Sequence, residues 1–281
     1  ASREFARFAD YAGAIVMEAA DRNLEQIYQA ERLNFGQARN LLREFVEALE
    51  HSHDRGIIHG DVKLKNAVRL NDRIKLIDLD AALAKGGFFG EKFSSGFNPP
   101  EAVKRITSNS DFALRTFART EDGRKVDPRT NEPVDDGELL KIDVSFDMWS
   151  FGVVAAMMLG NSPLFACDRD DNLRNAIELE KLGTWNAAAL TKAVYDFSRS
   201  LRTDSGAVVS ARERALSMDL LAWLLQPKRK ERPKSCVVLL EHPLFDPSSD
   251  TKRTETLHFA AATGDVNLLD RILERDDLAM S

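Results

Sequence analysis

The residues best equipped for chemistry lie in Ile57-Ile-His-Gly-Asp-Val-Lys-Leu-Lys-Asn66 and in Lys75-Leu-Ile-Asp-Leu-Asp80. Together these set Asp61, Lys63 and Asn66 on one short segment and Asp78 just beyond a candidate hairpin. Amide and carboxylate oxygens such as those of Asn66 and Asp78 can hold Mg²⁺. A further carboxylate, Asp61, can orient a hydroxyl, and an ammonium, Lys63, can offset the charge of a phosphate. The set suits metal-assisted phosphoryl transfer. A lone Asp-x-Lys is more often a solvated loop, so the reading rests on the spacing of all four.

Rigid elements must hold such a set in place. Ala38, Leu41, Leu42, Phe45, Val46 and Leu49 recur at helical spacing and predict an amphipathic helix over Phe35 to His53, leading into the loop. Ala67–Leu70 and Ile74–Ile77 read as short strands, and Asn71-Asp72-Arg73 between them favours a tight turn. Upstream, Tyr11 to Glu18 is an apolar run suited to a buried strand, followed by polar Asp21-Arg22-Asn23 and a helical stretch from Leu24. Between Glu101 and Asp143, turn-rich stretches such as Thr120-Glu-Asp-Gly-Arg-Lys predict an exposed, irregular excursion. Helical patterns then dominate to Leu240. The longest apolar stretch, Phe151 to Leu159, falls far short of the roughly 20 residues that span a bilayer, and reads as a buried core helix.

Composition narrows the class. The 281 residues, 43% hydrophobic and 30% charged, describe a globular chain of one large domain or two modest ones. A net charge of -6 gives no general attraction to nucleic acid or to anionic membranes. Cys167 and Cys236 lie far apart and outside any paired CxxC, so free thiols are expected and structural zinc is not. The opening Ala-Ser-Arg-Glu-Phe-Ala-Arg lacks the apolar region of a secretory signal, and a cytosolic or nuclear setting is expected.

The loop resembles the catalytic loop of protein kinases, His-Arg-Asp-x-x-x-x-Asn. That resemblance implies Asp61 as the catalytic base, Lys63 on the transferred phosphate, and Asn66 and Asp78 as Mg²⁺ ligands, with His59 and Leu79 in structural support. His-Gly-Asp with a later Ile-Asp also resembles small-molecule phosphotransferases of related fold. Three features favour the protein kinases. Pro99-Pro100-Glu101 resembles their Ala-Pro-Glu, Asp147-Met-Trp-Ser-Phe-Gly152 resembles the start of their central helix, and Glu231-Arg232-Pro233 carries the arginine that pairs with the glutamate. The resemblance implies a buried Glu101–Arg232 ion pair and an Asp147 carboxylate that accepts loop amides. His242-Pro-Leu-Phe245 resembles the end of the kinase domain. Ile15-Val-Met-Glu-Ala-Ala20 resembles the strand and hinge that meet adenine, with Met17 as gatekeeper, Glu18 and Ala20 on the base, and Val68 beneath it. Lys63, two residues after Asp61, and Ser94, ahead of Pro-Glu, resemble the serine/threonine class. The implied cofactors are ATP and Mg²⁺, and the implied substrate is a protein.

Four departures accompany the match. Gly60 replaces the arginine that pairs with an activation-loop phosphate, so activation is not expected to rest on such a pair. Asp-Phe-Gly reads Asp78-Leu79-Asp80, in which Leu79 keeps an apolar plug for His59 and Asp80 adds a carboxylate. Roughly thirty additional residues separate Glu101 from Asp147, on the face where protein substrates dock. No Gly-x-Gly-x-x-Gly and no Val-Ala-x-Lys occurs in the chain, which reads as a truncated N-lobe.

Thr256-Leu-His-Phe-Ala-Ala-Ala-Thr-Gly264 and the helical pattern after it resemble one ankyrin repeat, which offers a surface to a protein partner. The expected fold is α+β. A mainly α-helical kinase-like C-lobe with short β-hairpins covers 21–246, with an insertion at 102–146. A remnant N-lobe strand and hinge covers 1–20, a linker 247–253, and an incomplete helical ankyrin-like repeat 254–281. The expected activity, in the complete form, is transfer of the ATP γ-phosphate to Ser/Thr hydroxyls of proteins, with weak or no transfer by this truncated chain. Its alternative is an inactive kinase-like scaffold that binds partners.

Overall fold

The computed structural model describes residues 16–105, 112–135, 137, 139–160, 163–201 and 209–246. The expected linker and ankyrin-like unit, and the Tyr11 to Ile15 part of the expected strand, lie outside the described residues.

The chain enters through β1 (Arg22–Asn23) and α1 (Leu24–Ala30). Asn23 caps α1 in a reciprocal pair with Gln26, and Asn34 does the same with Gln37 for α2 (Phe35–His53). Each pair satisfies amide donors that a helix start leaves open. The face of α2 that carries Phe35, Ala38, Leu42, Phe45, Val46 and Leu49 is buried.

After α2 comes β2 (Ile57–Ile58), then the loop 59–66, then β3 (Ala67–Leu70) and β4 (Arg73–Leu76). The β3–β4 turn places Asn71 at φ 51° and Asp72 at φ 57°. Two left-handed residues match the twist of a two-residue hairpin, and Asn and Asp tolerate them best. The three strands pair antiparallel in the order β1-β3-β4. β5 (Leu83–Ala84) returns to pair with β2, Ile57 opposite Ala84 and Ile58 opposite Leu83.

The excursion expected to be irregular instead carries two hairpins. These are β6 (Val103–Arg105) with β7 (Phe112–Leu114), and β8 (Ala118–Arg119) with β9 (Lys125–Val126). Phe117, Val126 and Ile142 are buried there. Strands of two or three residues are too short to show the alternation that marks a strand in sequence.

The long helix α3 (Val144–Gly160) is buried around nearly its whole circumference. It packs against α2, against α5 (Ala187–Ser200) and against α6 (Ala211–Leu224), with α4 (Ala176–Gly183) between α3 and α5 in sequence. α7 (Cys236–Leu240) closes the described chain against α2. A second, smaller core of Ile58, Phe89, Ala102, Ile142 and Phe146 lies apart from the main one. Among the described residues, no helix is long and apolar enough to cross a membrane.

Candidate active site

The loop 59–66 is suspended from the buried start of α3. The Asp147 carboxylate accepts the His59 amide at 2.8 Å through Oδ2 and the Gly60 amide at 3.0 Å through Oδ1. The His59 ring is fully buried, with Nε2 3.2 Å from the Ile77 carbonyl, and this contact ties the loop to the residue before Asp78. Gly60 sits at φ +75°, and a Cβ there would lie 2.5 Å from the Ala81 carbonyl oxygen. The glycine is therefore required by the backbone that crosses it.

The reactive groups converge on Asp61. Its Oδ2 lies 2.9 Å from Lys63 Nζ and accepts from Asn66 Nδ2 at 2.9 Å. The same Asn66 amide nitrogen also donates to the Asp61 carbonyl. Asp61 Oδ1 is buried and has no partner among the described residues. A buried acceptor without a donor is uncommon and points to a group that arrives with a ligand. Lys63 Nζ also donates to Ser94 Oγ at 2.7 Å, which joins the loop to the segment before Pro99.

The candidate metal ligands are left open on the protein side. Asn66 uses its nitrogen on Asp61, while its Oδ1 accepts no hydrogen bond among the described residues. The Ile77 amide donates to the Asn66 carbonyl at 2.9 Å, which brings Asp78 up beside the loop. Asp78 is exposed, adopts a left-handed backbone at φ 61°, and its carboxylate makes no hydrogen bond or ion pair among the described residues. Two hard oxygen donors without protein partners suit Mg²⁺, which takes one or two protein oxygens and completes its shell elsewhere.

Below the site, Arg232 and Glu101 form a bidentate pair, with NH1 2.8 Å from Oε1 and NH2 2.7 Å from Oε2. The arginine side chain is fully buried and also donates to the carbonyls of Gln226 and Ser145. Its guanidinium lies over Trp149, 5.0 Å from the ring. Such a pair fixes the residues after Ser94 relative to α3.

Two expectations fail. Residues 16–18 form no strand, and Val16 and Met17 are 94% and 73% exposed. A lone strand has no hydrogen-bonding neighbour, and no described element flanks this run. Glu18 accepts from the Asn71 side chain, so it meets the β3–β4 turn, and Ala20 is exposed. Val68 is buried in β3 opposite Lys75. Leu79 is 56% exposed and does not plug against His59. The left-handed turn at Asp78 leads it into a short 3₁₀ turn on the surface. Its neighbour Asp80 is ion-paired with Lys92, which raises the lysine pKa chiefly through that hydrogen bond.

Three participants carried no sequence signal strong enough to single them out. Asp171 lies 3.0 Å from Lys65 Nζ and 3.8 Å from Lys63 Nζ. Burial works against the Lys65 charge, but the Asp171 hydrogen bond and charge outweigh it and raise its pKa. Ser95 Oγ bonds Asn172 and accepts the Leu173 amide, which seats the 94–96 segment on the same turn. His53, at the end of α2, reaches Asp147, and the run His51-Ser-His53 before the loop was its only trace in sequence.

Residues 6–112 match the family model of the protein kinase domain. The chain is 28% identical over 143 residues to the hormonally up-regulated neu tumor-associated kinase of Mus musculus, covering 50% of this chain and 16% of that protein. It is 29% identical over 160 residues to the MAP kinase-interacting serine/threonine-protein kinase mnk-1 of Caenorhabditis elegans, covering 53% and 20%. A putative ribosomal protein S6 kinase alpha-2 of Caenorhabditis elegans is 28% identical over 167 residues, covering 56% and 19%. The chain thus spans no more than 20% of the length of any of these three relatives. These likenesses support a protein kinase domain of the eukaryotic type.

Proposed function

We propose that this chain is the helical lobe of a protein kinase domain and that its site transfers the γ-phosphate of ATP to serine or threonine hydroxyls of proteins. The observation that carries the proposal is the Asp61 carboxylate. One oxygen is fixed by Lys63 and Asn66, and the other is buried, has no hydrogen-bond partner among the described residues and would accept a hydroxyl proton. Lys63, held by Asp61 and Ser94, would meet the transferred phosphate. Asn66 and Asp78 would hold Mg²⁺, which when bound offsets charge on the phosphates. Val68 would floor the adenine, and Met17, Glu18 and Ala20 would border it.

The serine/threonine assignment draws support from Lys63 at its position after Asp61 and from two of the relatives, one named a serine/threonine-protein kinase and one an S6 kinase. Positioning and charge neutralisation carry most of the work in phosphoryl transfer, and a loop hung from buried Asp147 supplies the positioning.

The test is a phosphotransfer assay on the full-length protein with labelled ATP and a mixed protein substrate, with and without Mg²⁺, followed by phosphoamino-acid analysis. Mg²⁺-dependent label on serine or threonine is expected. Label on tyrosine overturns the substrate class. No transfer by the full-length protein under any of these conditions overturns the enzyme reading in favour of a binding module.

A further inference from the structure

The Asp147 carboxylate that holds the loop has a third partner, and that partner has one of its own. His53 Nε2 lies 2.8 Å from Asp147 Oδ2, with the His53 and Asp147 side chains 6% and 0% exposed. On the other side of the ring, His53 Nδ1 lies 3.3 Å from Cys236 Sγ. Cys236 opens α7 and is 1% exposed, so solvent does not compete for either end of the imidazole.

The chemistry of these groups narrows where the protons can sit. An ionised carboxylate only accepts, so His53 Nε2 carries a hydrogen and donates it to Asp147. A neutral imidazole then has Nδ1 as an acceptor, and the thiol of Cys236 is the donor in reach. The thiol keeps its proton for this role. Burial pushes its pKa up, and the carboxylates of Asp147, Glu50 and Asp54 push it in the same direction. The sulfur is therefore a donor rather than a nucleophile.

We propose that Cys236 is a positioning residue for the candidate active site, acting through the relay Cys236 Sγ–H to His53 to Asp147 to the His59 and Gly60 amides. Asp147 requires the hydrogen on His53 Nε2, and the thiol, by donating to the Nδ1 lone pair that the neutral ring leaves, holds the ring neutral and in place. That tautomer gives Asp147 its third donor, and the fully bonded Asp147 holds the backbone that carries Asp61. Helix α7 is thereby joined to a loop far from it in sequence by hydrogen bonds rather than by apolar contact alone. A residue of α7 thus bears on Asp61 without touching substrate. The structural part stands without the kinase reading, whereas any effect on phosphotransfer rests on it.

Cys236→Ala and Cys236→Ser separate the proton from the packing. Both remove the sulfur, and only serine restores a donor. The measurement is ¹⁵N-detected imidazole chemical shifts of His53, together with amide hydrogen exchange at His59 and Gly60, in the original chain and both variants. The Nε2–H tautomer is expected in the original chain and in Cys236→Ser. Cys236→Ala should show the imidazolium, its Nδ1 no longer met by a thiol proton, with exchange at the two amides about tenfold faster, the scale of one hydrogen bond. An imidazolium in the original chain overturns the proposal. So do identical tautomer populations and exchange rates in all three proteins, or equal losses in Ala and Ser. Neither readout needs turnover, so a failure here is distinct from a failure of the kinase reading.

Discussion

The loop 59–66 and the segment that begins at Leu79 flank the same β3–β4 hairpin, yet they are held in opposite ways. Polar groups held out of solvent fix the loop: Asp147 takes its first two amides, and Asp61, Asn66, Lys63 and Ser94 bond one another behind the open Asp61 oxygen. Surface groups accompany the first turn of the segment. Leu79 faces solvent, and Asp80 meets Lys92 where both are exposed. Firmer holds come later in the segment, where Leu83 and Ala84 pair with β2 and Phe89 enters the smaller core. The contrast shows where this molecule spends its specificity. Hydrogen bonds out of water are costly to leave unmade, so a side chain fixed by them keeps its geometry, whereas exposed ion pairs contribute little.

Breaking a buried anchor should therefore have the largest effect on stability. Glu101→Gln leaves the fully buried Arg232 charge without its carboxylate, and a loss of about 3–5 kcal/mol is expected in urea unfolding. A loss below about 1 kcal/mol would place this pair with the surface ones and erase the contrast.

Gly60→Ala comes next. It forces a side chain into a left-handed backbone and against the Ala81 carbonyl, at an expected cost of about 1–3 kcal/mol. Unfolding at an unchanged midpoint would mean that the segment yields easily where it crosses the loop. The result bears on why arginine does not stand at this position. The space that its side chain would need is occupied by backbone.

The smallest effect belongs to the surface. Lys92→Ala should leave the unfolding midpoint unchanged at low and at high salt, because its ion pair with Asp80 is already in water. A clear, salt-sensitive drop in the midpoint would show that this pair holds the segment after all.

The same contrast explains what could be read from the sequence. The helix over Phe35 to His53, the Asn71-Asp72 turn and the buried α3 were legible because local pattern and tertiary burial agree there. The Glu101–Arg232 pair and the loop amides on Asp147 were legible from motif order, and the structure contains both. Leu79 misled because apolar character alone says nothing of direction, and the left-handed Asp78 turns it outward. Val16 and Met17 misled because an apolar run becomes a strand only beside a partner. Cys236 and Asp171 were invisible for a third reason. Their partners are set by packing between distant segments, and a single sequence carries no record of that.

The central claim is that the open oxygen of Asp61 takes the proton of the substrate hydroxyl. The most direct measurement is the phosphotransfer rate of Asp61→Asn against the unsubstituted full-length protein, with Mg²⁺ and nucleotide affinity measured in both. A fall of about 10²–10⁴-fold in rate at similar nucleotide affinity is predicted, the usual scale for a positioned general base. Equal rates in the two proteins would contradict the assignment.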